Sequence, residues 1–539
     1  MPPALGPSPL ARLFLPLLAI AAPERIAFVD VNVITMESDA VLPHRTVVVS
    51  GDRIETIGAV DAVAIPMGAR RIEGGGLFLM PGLVDMHVHL NDEFDLLPYV
   101  ANGVTTVRNL AGFESHVLLR ERIAKGEILG PTLFTAGPPV TGLRDPAAAE
   151  AIVAAQAEAG FDGVKIYDGI SREAYAALVA AARKHGLSPS GHVPRNLRLE
   201  DVLAAKPDSI DHLEEYIYSR FEPGLDTSGI ARAARETKEA GTAVCTTLVT
   251  FDLIGRQVAD LAPLLGRFEN RYVGPVFRRV WNEGSNSYRR RIPVAQVPEL
   301  RRRLAFQKRL LAGLRDAGVP ILLGTDAGGP PFVLPGFSVH EELAHLVSAG
   351  LTPFEALRAA TATPAEFLGE GGEFGTIGPG RRADLLLLHG NPLEDVANAS
   401  LVAGVAARGR YLDAKDLRAK LDELAALRAR DEAILGIVAG SGVEAGAQEI
   451  AAGRGPVSLL TLNELGFQYL RLEKRAADGL AVLELNTRAF PESAIAWSSY
   501  AEVLEETMRM DEALRAWRRV LTLDPKRRDA TEAVIRLAR

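Results

Sequence analysis

From residue 83 onward, short runs rich in β-branched and aliphatic residues alternate with longer stretches of helical periodicity. The strand-like runs are 83–90, 104–107, 132–136, 164–167, 187–192, 209–213, 243–248 and 321–324, with helical stretches such as 147–159, 172–184 and 301–317 between them. Gly or Pro precedes most of the runs, which separates the elements. Eight strands alternating with helices over about 250 residues predict an α/β fold, a (β/α)8 TIM barrel, here assigned to residues 81–370.

The flanks read differently. Residues 26–30, 46–49 and 53–58 alternate apolar and polar positions as half-buried strands do, and the same texture returns at 375–380, 383–388 and 402–411. Two such segments around a long insert predict one composite β-sandwich, built from residues 23–80 and 371–415. Past residue 415 the pattern is helical throughout, as a linker at 416–455 and a repeat region at 456–539. Pro491 recurs as Pro525 after 34 residues, and Trp497, Ala501, Leu504, Ala513 and Trp517 fall at tetratricopeptide-like (TPR-like) positions. Repeats of this kind offer a surface for a protein partner.

Composition narrows the classes. A chain of 539 residues with 47% hydrophobic and 24% charged residues is globular and large enough for more than one structural unit. A net charge of -8 argues against a nucleic-acid partner. With Cys245 as the only cysteine, no internal disulfide and no thiolate cluster can form, and its strand-like surroundings mark it as a buried structural thiol. Residues 10–22 form an apolar stretch with a single Arg12, ending in Ala19-Ile20-Ala21. Too short to span a bilayer, it reads as a signal peptide over residues 1–22, with export to the periplasm or the medium as the expectation and a cytoplasmic protein as the alternative.

The candidate chemistry begins at His87 and His89. On a strand, residues i and i+2 share a face, so the two imidazoles project together. In a barrel the reactive side chains stand at the C-terminal ends of the strands, and there the chain offers His87, His89, Lys165, His192, His212 and Asp326. Singly, each has an ordinary structural explanation, such as a solvated lysine, a turn histidine or a helix cap. Barrel closure would gather all six around one pocket.

These residues sit in Pro-Gly-Leu-Val-Asp-Met-His-Val-His (81–89), Val-Lys-Ile-Tyr (164–167), Ser-Gly-His-Val-Pro (190–194), Ser-Ile-Asp-His (209–212) and Gly-Thr-Asp-Ala (324–327). With these motifs the chain resembles the amidohydrolase superfamily over residues 25–412, and within it the imidazolonepropionase-like and prolidase-like group. The resemblance implies two divalent metal ions, Zn being favoured over Mn, Co or Fe. His87, His89 and Asp326 would hold one and His192 and His212 the other, with Lys165 bridging them as its N6-carboxylated form. It also implies a metal-bridging hydroxide as nucleophile and Asp326 as general base and acid.

Deaminases of that superfamily often carry HxxE around the fifth strand, whereas here position 195 is Arg. The expected activity is therefore hydrolysis of a C–N amide bond in a small molecule, an N-acyl amino acid or a dipeptide-like compound. The alternatives are a cyclic-amide or lactone hydrolase on the same site and, from another class, a repeat-bearing scaffold with an inert barrel. Tyr216 and Tyr218 are the expected substrate contacts. Residues 266–303 hold ten Arg and three Glu, which reads either as a loop that binds a substrate carboxylate or as a solvated helical face or dimer contact.

Overall fold

The structure, a computed structural model, describes residues 25–452, 457–525 and 527–538; the expected signal peptide lies outside them. Two compact units emerge among these residues. One holds the strands, and the other gathers residues 271–280 with the helical residues from 422 onward.

All eight expected barrel strands form. Numbered after the five strands of the flanking sheet described below, they are β6 (Leu83–Val88), β7 (Val104–Asn109), β8 (Thr132–Thr135), β9 (Gly163–Ile166), β10 (Ser188–Gly191), β11 (Ser209–Asp211), β12 (Ala243–Cys245) and β13 (Ile321–Leu322). They pair in parallel as a three-stranded sheet, β6-β7-β8, and a five-stranded sheet, β9 to β13 in sequence order. At the two seams there are isolated parallel bridges, Ala136↔Gly163 and Val88↔Ala327, together with backbone bonds such as Met86 N to Leu323 O at 2.9 Å. The strands thus follow the circuit of a (β/α)8 barrel without a continuous ladder, and the seam beside β6 lies next to His87 and Asp326.

Helices cover the circuit where helical periodicity predicted them, at Ala149–Glu158, Arg172–Lys184 and Val297–Asp316. In the second, the Ser171 side chain accepts from Ala174 N and so caps the helix. The short strands are almost wholly buried, because one face meets the barrel interior and the other meets helices.

The two flanking β segments join as expected, in one eight-stranded sheet. Its strands are β1 (Ile26–Ile34), β2 (Val41–Ser50), β3 (Arg53–Ala59), β4 (Arg70–Glu73), β5 (Phe78–Pro81), β14 (Leu385–Leu388), β15 (Val402–Ala407) and β16 (Arg410–Asp413). The join is the antiparallel pair of β5 with β14, Phe78 opposite Leu388 and Pro81 opposite Leu385. Ile26, Phe28, Val47, Leu79, Leu385 and Leu387 form its core. Since Pro81 ends β5 and Leu83 begins β6, this sheet fixes the entry of the strand that carries the two histidines.

In the second unit, helices begin at Ala476 and Met510, and at Ala494 and Arg528, in both cases 34 residues apart. Residues 271–280 belong to this unit through Val276 in its apolar core and an Arg278–Glu432 ion pair of 3.0 Å. No helix among the described residues is long and apolar enough to cross a membrane.

Candidate metal centre

The seam beside β6 builds the first corner of the site. Asp85 is fully buried on β6; its Oδ1 accepts from the backbone N of His87 (3.2 Å) and Thr325 (3.0 Å), and its Oδ2 from the Thr325 hydroxyl (2.6 Å). Burial raises its pKa to about 7. This clamp ties the end of β6 to the turn after β13, where Asp326 takes a left-handed backbone with φ 65°. The Asp326 Oδ1 then lies 2.8 Å from His89 Nε2 and 3.3 Å from His87 Nε2. Gly324 permits this approach, since a Cβ there would stand 2.3 Å from Cys245 Sγ and 2.8 Å from His87 Cβ.

The second corner is anchored from outside. The His192 ring packs 4.7 Å from that of His212, and the latter lies 4.5 Å from the His87 ring, so the two corners meet. His192 Nδ1 is paired with Glu215 Oε1 and His212 Nδ1 with Thr247 Oγ1, each at 2.8 Å. In both, the other ring nitrogen is left for the site, an arrangement common behind metal-binding histidines. Thr247 and His212 themselves have φ of 52° and 72°. Left-handed backbone is costly for a β-branched residue and clusters at functional sites. Glu342, fully buried, supports Thr247 from behind: it accepts the Thr246 hydroxyl and the backbone N of Leu248 (3.0 Å) and Val249 (2.6 Å).

Lys165, on β9, is buried and donates to Asp211 Oδ2 at 2.9 Å. Arg108, on β7, holds the other Asp211 oxygen at 3.1 Å while donating to Met86 O at 2.8 Å. Burial alone would raise the Asp211 pKa, but the Lys165 and Arg108 cations outweigh it and hold the carboxyl below the ordinary range.

The protonation states suit a metal. Burial, reinforced by Lys165, pushes His87 well below the usual imidazole range and His192 down to about 3; burial and the neighbouring His192 bring His212 to about 3. All three are neutral near pH 7 and carry free lone pairs. Asp326 is raised by burial but pulled below its ordinary value by the His89 hydrogen bond and nearby positive charge, so it is a carboxylate. Neither ring nitrogen of the fully buried His87 makes a hydrogen bond. Such orphaned atoms cost free energy unless something binds them, so the donor set fits a divalent cation. His87, His89 and Asp326 form one candidate ligand group. A second, His87 with Asp211 and Cys245, is unsuited, because Asp211 is taken by Lys165 and Arg108 and burial keeps the Cys245 thiol protonated.

All six expected ligands therefore stand in one site. Of the expected substrate contacts, Tyr218 stands at the rim, its ring under the Arg195 guanidinium at 3.5 Å. Tyr216 does not: it is fully buried with its hydroxyl bonded to Thr237 Oγ1 at 2.9 Å, because the short helix Glu214–Tyr216 turns that side chain inward. The arginine-rich stretch is mostly occupied in ion pairs, including Arg267–Glu341 (2.6 Å), Arg289–Glu283 (2.9 Å) and Arg303–Glu222 (2.7 Å), as the solvated-face reading expects. Residues missed in the sequence are Arg108, Asp211, Glu215, Thr247 and Glu342. Only Asp211 and Glu215 carried a signal, being polar residues beside His212 in a buried run.

The Amidohydrolase family matches residues 78–412. An imidazolonepropionase from Anaeromyxobacter sp. (strain K) is 28% identical over 430 residues, which cover 65% of this chain and 85% of that protein. Among solved structures, a bottromycin amidohydrolase superposes with a TM-score of 0.63 at 25% identity, over 79% of this chain and 94% of its own. A Xaa-Pro dipeptidase with methionine in its active site gives 0.58 at 21% identity, over 72% and 100%.

Proposed function

Because the chain belongs to the amidohydrolase family, we propose that it is a metal-dependent hydrolase of the C–N amide bond in N-acyl amino acids or dipeptide-like compounds. The observation that carries this reading is the convergence of His87, His89, Lys165, His192, His212 and Asp326 on one site with the ring nitrogens of His87 left without a hydrogen bond. His87, His89 and Asp326 would hold one metal ion and His192 and His212 a second, with carboxylated Lys165 shared between them and zinc preferred for a nitrogen and oxygen donor set. Such ions supply Lewis-acid polarisation of the scissile carbonyl and lower the pKa of water.

The chain's own groups account for the rest. Asp326, ionised and beside His89, accepts the proton from the attacking water and returns it to the leaving amine. Glu215 and Thr247 hold His192 and His212 with the second nitrogen turned to the site. Lys165 reaches the site from β9; carboxylation of its amine leaves one N–H, which can keep the bond to Asp211, while the new group presents anionic oxygens.

Nucleobase deamination is disfavoured because position 195 carries a cation at the rim instead of a proton-transferring carboxyl group. For the tail, the 34-residue spacing of its helices supports TPR-like pairs. The test is hydrolysis by the metal-loaded chain of matched N-acyl amino acids, dipeptides, cyclic amides and lactones, with released amine and acid quantified. Amine release from the acyclic amides is expected. Turnover confined to lactones or cyclic amides, or ammonia from nucleobases, would contradict the reading.

A further inference from the structure

Arg195 stands out among the arginines near the site because its donors are unspent. It follows β10 by way of His192, Val193 and Pro194, and it is held at both ends. Its backbone N donates to Asp168 Oδ1 at 2.8 Å, and its guanidinium lies 3.5 Å over the Tyr218 ring. The nearest carboxylate oxygen, Glu215 Oε1, is 4.0 Å away and is already paired with His192 Nδ1 at 2.8 Å. The Arg195 side chain is 50% exposed. Arg303, whose guanidinium lies 5.8 Å from the Tyr218 ring, is by contrast committed to Glu222 and Glu299.

A guanidinium stacked on an aromatic ring has its plane fixed while its N–H edge stays open, a geometry suited to two parallel bonds with a carboxylate. The location suits a substrate group too. Arg195 neighbours His192 through their shared partner Glu215, and the His192 ring is contacted at 4.4 Å by the half-exposed Tyr167. A carboxylate bound at Arg195 would therefore sit a few bonds from an amide held at the metal centre.

We propose that Arg195, set on Tyr218, is the subsite for a substrate carboxylate adjacent to the scissile amide. The preferred substrates are then amides of free amino acids, N-acylated or dipeptidyl, and their neutral esters and amides are poor ones. This inference rests on the amide-hydrolase reading of the same site. The competing role for Arg195 is to hold Glu215 in place behind His192.

The test is binding of a pair that turnover does not consume, N-methanesulfonyl-L-leucine and its dimethylamide, to the metal-loaded chain by titration calorimetry. The wild type is expected to bind the acid at least tenfold more tightly than the dimethylamide. In Arg195→Met the ratio should fall to near one through loss of acid affinity alone, and Arg195→Lys should recover part of it, with metal content and thermal midpoint unchanged in both. Equal affinities in the wild type, a preserved ratio in Arg195→Met, or no binding of either compound would overturn the subsite. Loss of metal together with affinity for both compounds would assign Arg195 to Glu215 and overturn it as well. A chain that binds the acid selectively yet cleaves no amide keeps the subsite and loses the proposed reaction.

Discussion

The two corners of the site are built on opposite plans. His87, His89 and Asp326 touch one another, and the His87 ring makes no hydrogen bond. His192, His212 and Lys165 are each gripped from outside by Glu215, Thr247 and Asp211. The first corner is thus positioned through its backbone, which the Asp85 carboxylate ties down and the positive φ of Asp326 turns, and the second through the His192 and His212 rings and the Lys165 amine. Loss of Glu215 or Thr247 should loosen one ligand of the second corner and leave the first in place, whereas loss of Asp85 should displace the first corner as a whole, so the two corners should fail in different ways.

The largest effect is expected at the point where ligation and proton transfer meet. Asp326→Asn should lower kcat/KM for an N-acyl amino acid by on the order of 10²- to 10⁴-fold, mainly through kcat, as measured by steady-state amine release. An unchanged kcat would remove Asp326 from the chemistry. Next, Glu215→Gln and Thr247→Val should each weaken the second metal by about 10- to 100-fold, read by competition with a chromophoric chelator, while the affinity of the first corner holds. Thr247→Ser should restore binding, because the hydroxyl is what His212 needs. If both metals weakened equally, the corners would not be independent.

Acid should expose the same contrast. His192 and His212 titrate at about 3 in the folded chain against an ordinary 6.5. Between those values the unfolded chain binds protons at these imidazoles that the folded chain refuses, so their contribution to metal-free stability is lost as pH falls from about 6.5 to about 3. Urea unfolding across that range should show a flatter pH slope in a His192→Asn/His212→Asn variant than in the wild type. An identical slope would mean these imidazoles are not held neutral. The smallest effect belongs to Tyr216→Phe, which should cost about 1 kcal/mol of stability through the lost Thr237 bond and leave KM unchanged; a raised KM would return Tyr216 to the substrate site.

Much of this was legible in the sequence because it is periodic or local. The eight strands announce themselves by apolar runs between Gly and Pro, and the six candidate ligands stand where such strands end. The outer partners were not legible. Glu342 lies 95 residues beyond Thr247, and only the folded circuit brings them together. Tyr216 was misread for a local reason, since residues just past a strand end look like rim residues until a short helical turn rotates one of them into the core. Arg108 likewise reads as an ordinary strand cation until β7 places it beneath Lys165 and Asp211.

The central claim is that both corners serve one shared metal centre with Lys165 between them. Elemental analysis of the wild type and Lys165→Ala, purified in parallel, tests it most directly. About two metal ions per chain in the wild type and markedly fewer in the variant is the predicted result. One ion in both proteins, or none in either, would contradict it.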